Sequence, residues 1–179
     1  MGLVLLLGGA RSGKSQFALR LAASQPAACV FIATGEPGDA EMEERIARHR
    51  AERPEAWQTV EEPLRIREAI LSAERAACVV LDCLTLWTAN ALAEHGSEET
   101  QAQALAAAQV ASSRPGLTIV VSNEVGLGIV PANALARSYR DLLGSVNAIW
   151  ARAADHVLLF SAGRAVRLTD PDALLEGLS

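Results

Sequence analysis

Eight consecutive residues carry the most definite chemistry in this chain: Gly8, Gly9, Ala10, Arg11, Ser12, Gly13, Lys14 and Ser15. They fit G-x-x-x-x-G-K-[ST] at every fixed position. Gly8 and Gly13 let the backbone curl and turn its N–H groups inward around phosphate oxygens. Lys14 brings a point charge to the β- and γ-phosphates, and the Ser15 hydroxyl is placed to hold Mg²⁺. The spacing predicts a site for a nucleoside triphosphate. It leaves the reaction open, because kinases, motors and switches share this loop.

Three further groups of residues bear on the reaction. Val79-Val80-Leu81-Asp82 ends an apolar run in a carboxylate, which reads either as a residue that positions Mg²⁺ beside the phosphate loop or as the cap of the next helix. The segment Glu41–Arg53 is the most charged part of the chain. At helical spacing Met42, Ile46 and His49 share one face, with Arg53 continuing it. Spacing alone leaves His49 as an incidental side chain on a solvated helix or as an imidazole nucleophile with Arg45, Arg48, Arg50 or Arg53 to hold phosphates. The stretch Asn123–Pro131, with Gly126 and Gly128, reads as an ordinary strand-to-helix loop or as one that a ligand or partner subunit approaches closely. Arg137, Arg140 and Asp141 lie about a turn apart on a helix, the pattern of a surface ion-pair patch.

The elements that must position these groups alternate along the chain. Leu3–Leu7 is an apolar run of strand length before the phosphate loop, and Gln16–Ala23 favours helix after it, so the positive end of a helix dipole faces the phosphates. Further strands are predicted at Cys29–Ala33, Trp57–Val60, Ala77–Asp82 and Leu117–Ser122, with His156–Phe160 and Ala165–Leu168 as a final hairpin or sheet edge through Gly163. Helices are predicted at Ala40–Glu52 (capped by Asp39 and stopped by Pro54), Leu64–Arg75, Leu84–Glu94, Glu98–Ser112 and Asn133–Ala153, the last relaxed at Gly144. The tail Asp170–Ser179 reads as mobile or as a short helix. This order implies an α/β fold, one domain over 1–179, a mainly parallel sheet with right-handed crossovers, and ligands at the carboxyl ends of the strands.

Composition narrows the partners. The net charge is −5 and Lys14 is the only lysine; with no basic stripe interleaved with aromatics, nucleic acid is not an expected partner. Three cysteines without a C-x-x-C pair fit a reducing compartment and small buried hydrophobes, not a thiolate metal site. No apolar run approaches the roughly 20 residues of a membrane span, so the expected location is the cytoplasm.

Taken in order, several segments resemble one family: GGARSGKS at 8–15, FIATGE at 31–36, DAEMEERIARHRAERP at 39–54, WQTVEEP at 57–63, VLDCLTLWTAN at 80–90 with its apolar lead-in, SNEVGLGIVP at 122–131 and ARSYRDLLGSVN at 136–147. The chain is similar over about residues 3 to 168 to the bifunctional adenosylcobinamide kinase / adenosylcobinamide-phosphate guanylyltransferases of cobalamin biosynthesis. The resemblance implies a phosphate-loop fold of the RecA-like type and a homotrimer with sites at subunit boundaries. It implies two reactions on a corrinoid substrate: phosphorylation of the hydroxyl of the aminopropanol arm by ATP or GTP, then transfer of GMP from GTP through a guanylyl-histidine. His49 matches the family's nucleophile. Gly8–Ser15 matches the triphosphate loop, Ala33, Thr34, Gly35, Arg50, Ala51, Glu52, Arg53 and Glu61 the lining of the guanine nucleotide site, and Asp82 the metal-serving carboxylate. Some members have a second histidine directly before the nucleophile; this chain has Arg48 there. For the residues by themselves, a plain small-molecule kinase and a RecA-type interaction module remain the rival readings.

Overall fold

In the computed structural model, which describes residues 2–38 and 40–176, β1 (Leu3–Gly8) is buried at all six positions. It pairs in parallel with β5 (Thr118–Val121) on one side and β6 (His156–Ser161) on the other. Beyond β5 lie β4 (Cys78–Asp82), β2 (Cys29–Ala33) and β3 (Gln58–Glu61), all parallel. Beyond β6 lies β7 (Arg164–Leu168), antiparallel and exposed along its length. The order is β3-β2-β4-β5-β1-β6-β7.

Alternation along each strand divides the core into two layers. Leu3, Leu5, Leu7, Val30, Ile32, Val79, Leu81 and Val120 face α3 (Ile66–Ser72), α4 (Leu84–His95), α5 (Ser97–Ser113) and α6 (Ala134–Ala153). Val4, Leu6, Cys29, Phe31, Cys78, Val80, Ile119 and Val121 face the other way, against Ala18 and Ala22 of α1 (Lys14–Ala23). Burial on both faces is why the strands read as continuous apolar runs. Alanines 104, 107, 108 and 111 make up most of the buried side of α5. Trp87 and Trp150 are fully buried, and Trp87 Nε1 donates to the Leu64 carbonyl at 2.8 Å. Trp57 packs partly buried against the second layer.

The cysteines are free, Cys29 facing Cys78 in register inside the core. His95 and His156 are exposed.

The elements depart from expectation at a few ends. Helix α1 starts at Lys14, because the left-handed Gly13 delivers the chain directly into helical conformation. Helix α3 is shorter than 64–75: Glu62 Oε1 accepts from the Leu64 and Arg65 N–H groups and holds that stretch as a turn, and Ala73 is already extended. Helix α6 runs unbroken through Gly144, which lies on its exposed side. A short α7 (Pro171–Glu176) follows the hairpin. Helix α2 (Ala40–Ala51) forms as expected; the predicted cap Asp39 lies outside the described residues.

Candidate active site

The carboxyl ends of β1, β2, β4 and β5 lie along one end of the sheet, and the phosphate loop follows the first of them. The loop leaves β1 at Gly8 (φ 149°), passes Arg11 (φ 55°) and enters α1 at Gly13 (φ 98°). A Cβ on Gly8 would collide with the Phe160 carbonyl, so that position is closed to any side chain. Lys14 is buried, and its Nζ donates to the Gly9 carbonyl across the loop at 2.9 Å. Gly9, Ala10 and Arg11 form the exposed rim.

Asp82 ends β4, level with Ala33 on β2 and Val121 on β5. It does not cap α4; the N-cap is Cys83, which makes no side-chain capping bond. Burial pushes the Asp82 carboxyl above its ordinary value; His49, Lys14, Arg53 and the Ser15 hydroxyl draw it back. The same burial and the Asp82 charge raise the Cys83 thiol to about 11, so it stays protonated at neutral pH.

Thr34 is fully buried and its polar groups are all engaged. Its hydroxyl donates to the Cys83 carbonyl at 2.7 Å and accepts from the Cys83 N–H at 2.8 Å. Its own N–H donates to the Asp82 carbonyl, and its carbonyl accepts from Asn90 Nδ2. Thr34 therefore locks the peptides around Asp82 in place. At Gly35 a Cβ would lie 3.2 Å from Leu86 Cδ1 and 3.7 Å from Ile46, which marks how closely α2 packs over the end of β2.

His49 lies about a turn beyond Ile46 on the same helix. His49 Nδ1 lies 3.7 Å from Glu52 Oε2, with the imidazole 38% exposed. Arg50 Nη2 lies 3.0 Å from Glu61 Oε1 and ties α2 to the end of β3. Arg53, just past the helix, lays its guanidinium 3.8 Å from the centre of the Phe31 ring, and its Nε is buried without a hydrogen-bond partner. Burial draws the Arg53 guanidinium down from its ordinary value while Asp82 opposes the shift; the group stays a cation. The Gly8–Ser15 loop, Ala33–Gly35, Glu61 and Asp82 thus stand at one sheet edge, with His49 and Arg53 brought to it by α2.

Among the described residues no three His, Cys, Asp or Glu side chains group to hold a metal ion. Mg²⁺ needs no such cage, since it is commonly held by one or two oxygen side chains and the substrate's phosphates. The Ser15 hydroxyl and the Asp82 carboxylate are a donor set of that kind.

The loop 123–131 starts at the same edge. Glu124 N–H donates to the Gly8 carbonyl at 3.2 Å, Asn123 N–H donates to Thr85 Oγ1, and Asn147 Nδ2 donates to the Asn123 carbonyl. Farther out, Leu127 and Ile129 are 84% and 98% exposed. The arginines of α6 act locally: Arg137 bonds the Pro131 and Ala132 carbonyls, and Arg140 pairs with Asp141. Asn90 and Asn147 close two of the family-like segments, VLDCLTLWTAN and ARSYRDLLGSVN, but the likeness gives them no role there. Their signal in the sequence is an amide inside an otherwise apolar helical face, as in LTLWTANALA.

Residues 4–168 match the family model described as cobinamide kinase / cobinamide phosphate guanyltransferase. The chain is 44% identical over 160 residues to the bifunctional adenosylcobalamin biosynthesis protein CobP of Pseudomonas aeruginosa, covering 89% of this chain and 92% of that one. It is 37% identical over 180 residues to the bifunctional adenosylcobalamin biosynthesis protein CobU of Escherichia coli, covering 93% and 99%. Among solved structures it is similar to an ATPase of a bacterial type III secretion system, with TM-score 0.59 and 14% identity over 98% of this chain and 53% of that one. It is also similar to the RadB recombinase, with TM-score 0.53 and 18% identity over 88% and 73%. At those identities the likeness speaks to architecture alone: a phosphate-loop NTPase fold of the RecA-like type, with β7 as an antiparallel edge.

Proposed function

Because the chain belongs to the cobinamide kinase / cobinamide phosphate guanyltransferase family, we propose that one site serves both of its transfers, with Asp82 at the centre. The two activities are those of the family: phosphorylation of cobinamide, and guanylyl transfer to the resulting phosphate. The distribution of roles among residues is our reading. It is supported by one arrangement: Asp82 ends β4 level with Ala33 of β2, and α2, which carries His49, packs over Gly35 beside it.

In the kinase step Gly8, Gly9, Ala10, Arg11, Ser12 and Gly13 enclose the triphosphate of ATP or GTP. Lys14 neutralises the β- and γ-phosphates, and the corrinoid's hydroxyl receives the γ-phosphoryl group. Ser15 and Asp82 would hold Mg²⁺, which when bound neutralises charge on the phosphate oxygens. Positioning and charge neutralisation are what phosphoryl transfer asks of a protein.

In the second step His49 attacks the α-phosphorus of GTP. A nitrogen–phosphorus bond forms, the bond to the bridging oxygen breaks, and pyrophosphate leaves. An oxygen of adenosylcobinamide phosphate then displaces the imidazole, giving adenosylcobinamide-GDP. Splitting the transfer in two divides one difficult displacement into easier ones. Arg53, held over Phe31, and Arg50, held by Glu61, are the cations nearest to this task; Ala33, Thr34, Gly35, Ala51 and Glu52 complete the guanine nucleotide site.

A homotrimer in the cytoplasm fits this reading. No helix among the described residues is long and apolar enough to cross a membrane. The exposed Leu127, Ile129, Val130 and Leu135 offer apolar surface to neighbouring copies.

The test is incubation with α-³²P-GTP and no acceptor. The protein is expected to take up an acid-labile, base-stable label that His49→Ala abolishes, while His49→Ala still phosphorylates cobinamide. Label persisting in His49→Ala would overturn the assignment.

A further inference from the structure

The turn joining β6 to β7 presses on the phosphate loop at points that lie outside the loop's own motif. Gly163 N–H donates to the Ser12 carbonyl at 3.0 Å. A Cβ on Gly13 would lie 3.5 Å from Gly163 Cα, and a Cβ on Gly8 would strike the Phe160 carbonyl. Behind them the rings of Phe17 on α1 and Phe160 on β6 stand 5.2 Å apart. The turn has two residues between the paired Ser161 and Arg164, and both are left-handed: Ala162 at φ 49° and Gly163 at φ 73°. This is the hairpin geometry that matches strand twist, and it aims the Gly163 N–H at the loop.

The consequence follows from peptide geometry. A trans peptide is planar, so its C=O and N–H point in opposite directions. The Ser12 carbonyl is held toward the hairpin, outside the loop. The Gly13 N–H belongs to the same peptide unit and is therefore turned the other way, into the hollow that Lys14 Nζ and the Gly9 carbonyl span.

We infer that Gly163 is a positioning residue for nucleotide binding: its N–H fixes the Ser12–Gly13 peptide so that the Gly13 N–H meets the triphosphate already oriented. Gly163 touches no phosphate itself. The inference rests on Gly8–Ser15 being the triphosphate site. It adds a part that the sequence motif does not contain, supplied from 150 residues downstream (Gly13 to Gly163) by the edge hairpin.

The test compares Gly163→Pro, which removes the N–H and cannot adopt a φ of 73°, with Gly163→Asn, which keeps the N–H and tolerates the left-handed region. Affinity for ATP and for GTP is read by equilibrium binding on the full-length enzyme. Gly163→Pro is expected to weaken both by the same factor, roughly ten- to a hundredfold, the weight of one hydrogen bond to a charged group. The factor is common because the amide meets phosphate and not base. Gly163→Asn is expected to recover most of the loss, and the KM for cobinamide is expected to stay unchanged in both. Should Gly163→Pro not fold, hydrogen exchange on the wild type carries the test. The Gly163 amide is expected to be protected without nucleotide despite its place in an exposed turn, and the Gly13 amide to become protected when GTP is added. Unchanged affinity in a folded Gly163→Pro, unequal factors for ATP and GTP, equal loss in the Asn and Pro variants, or an unprotected Gly163 amide would each overturn the inference. A wild-type enzyme whose nucleotide affinity is indifferent to Lys14→Ala would instead show that the phosphate-loop reading itself had failed, and the inference with it.

Discussion

Thr34→Val tests whether Asp82 is held in place from β2. Valine keeps the shape of threonine and removes only the hydroxyl, so packing around this fully buried position is preserved. Two hydrogen bonds disappear, to the Cys83 carbonyl at 2.7 Å and from the Cys83 N–H at 2.8 Å. The Cys83 N–H is then left without that partner at a half-buried position, while the Cys83 carbonyl keeps the Trp87 N–H at 3.2 Å. An unsatisfied buried polar group costs about 1–3 kcal/mol, the upper end holding if water cannot enter. With a urea slope of about 2 kcal/mol/M, the midpoint of unfolding is expected to fall by about 0.5–1.5 M. Catalysis should suffer too, because the residue before Cys83 is Asp82, and a displacement of about 1 Å in such a group costs on the order of a hundredfold in rate. The assays are urea denaturation and cobinamide phosphorylation at saturating nucleotide, with Thr34→Ser as the control that keeps both bonds. A Thr34→Val protein within about 0.5 kcal/mol of wild type and equal to it in kcat would refute the claim that Thr34 braces the peptides around Asp82.

Two further outcomes are expected. Burial works against the Glu62 carboxylate, but the Arg65 and Leu64 N–H groups and the Arg65 guanidinium hold its pKa below the ordinary 4.5. The stability this gives is fully present above the unfolded value of 4.5 and is lost as pH falls through the lower folded value. Glu62→Gln should therefore lower stability by about 1 kcal/mol at pH 7, and the gap to wild type should close in acid when thermal unfolding is followed from pH 7 to pH 2. Arg114 is buried with its guanidinium on the Ile70, Ala73, Glu74 and Ala77 carbonyls at 2.7–3.2 Å. Arg114→Met should cost about 3–5 kcal/mol, since it strips several buried carbonyls of a charged donor at once; a midpoint shift in urea too small for 1 kcal/mol would show that water replaces the guanidinium.

What could be read from the sequence follows from how locally each feature is specified. The phosphate loop is legible because its strand, glycines, lysine and helix are contiguous, and each is needed where it stands. The parallel strands are legible because burial on both faces forbids polar residues in them. His49 is different. Its neighbours in sequence describe only a charged helix, and the role proposed for it depends on Asp82, which lies on a strand 33 residues later (His49 to Asp82). Only the whole segment from Asp39 to Pro54, taken as a family likeness, separates it from a surface histidine. The ends of α3 and the start of α1 shift for the same reason: a glutamate bonding two amides ahead of it, and a left-handed glycine, set them more sharply than apolar periodicity can.

Thr34 and Gly163 mark the limit of motif reading from opposite directions. Likeness assigns Thr34 to the lining of the guanine nucleotide site, yet its hydroxyl, N–H and carbonyl are all bonded to protein. Its contribution is to fix the peptides that carry Asp82, and a residue can occupy a site's consensus by holding the site together. Gly163 lies far outside the phosphate-loop motif, yet its N–H meets the loop that defines the fold. In both cases the parts that touch ligand are short-range in sequence, and the parts that orient them come from the neighbouring strand. A sheet edge therefore specifies its chemistry in two places at once. The loop at the end of each strand supplies the reactive groups, and the backbone hydrogen bonds between strand ends decide which way those groups face.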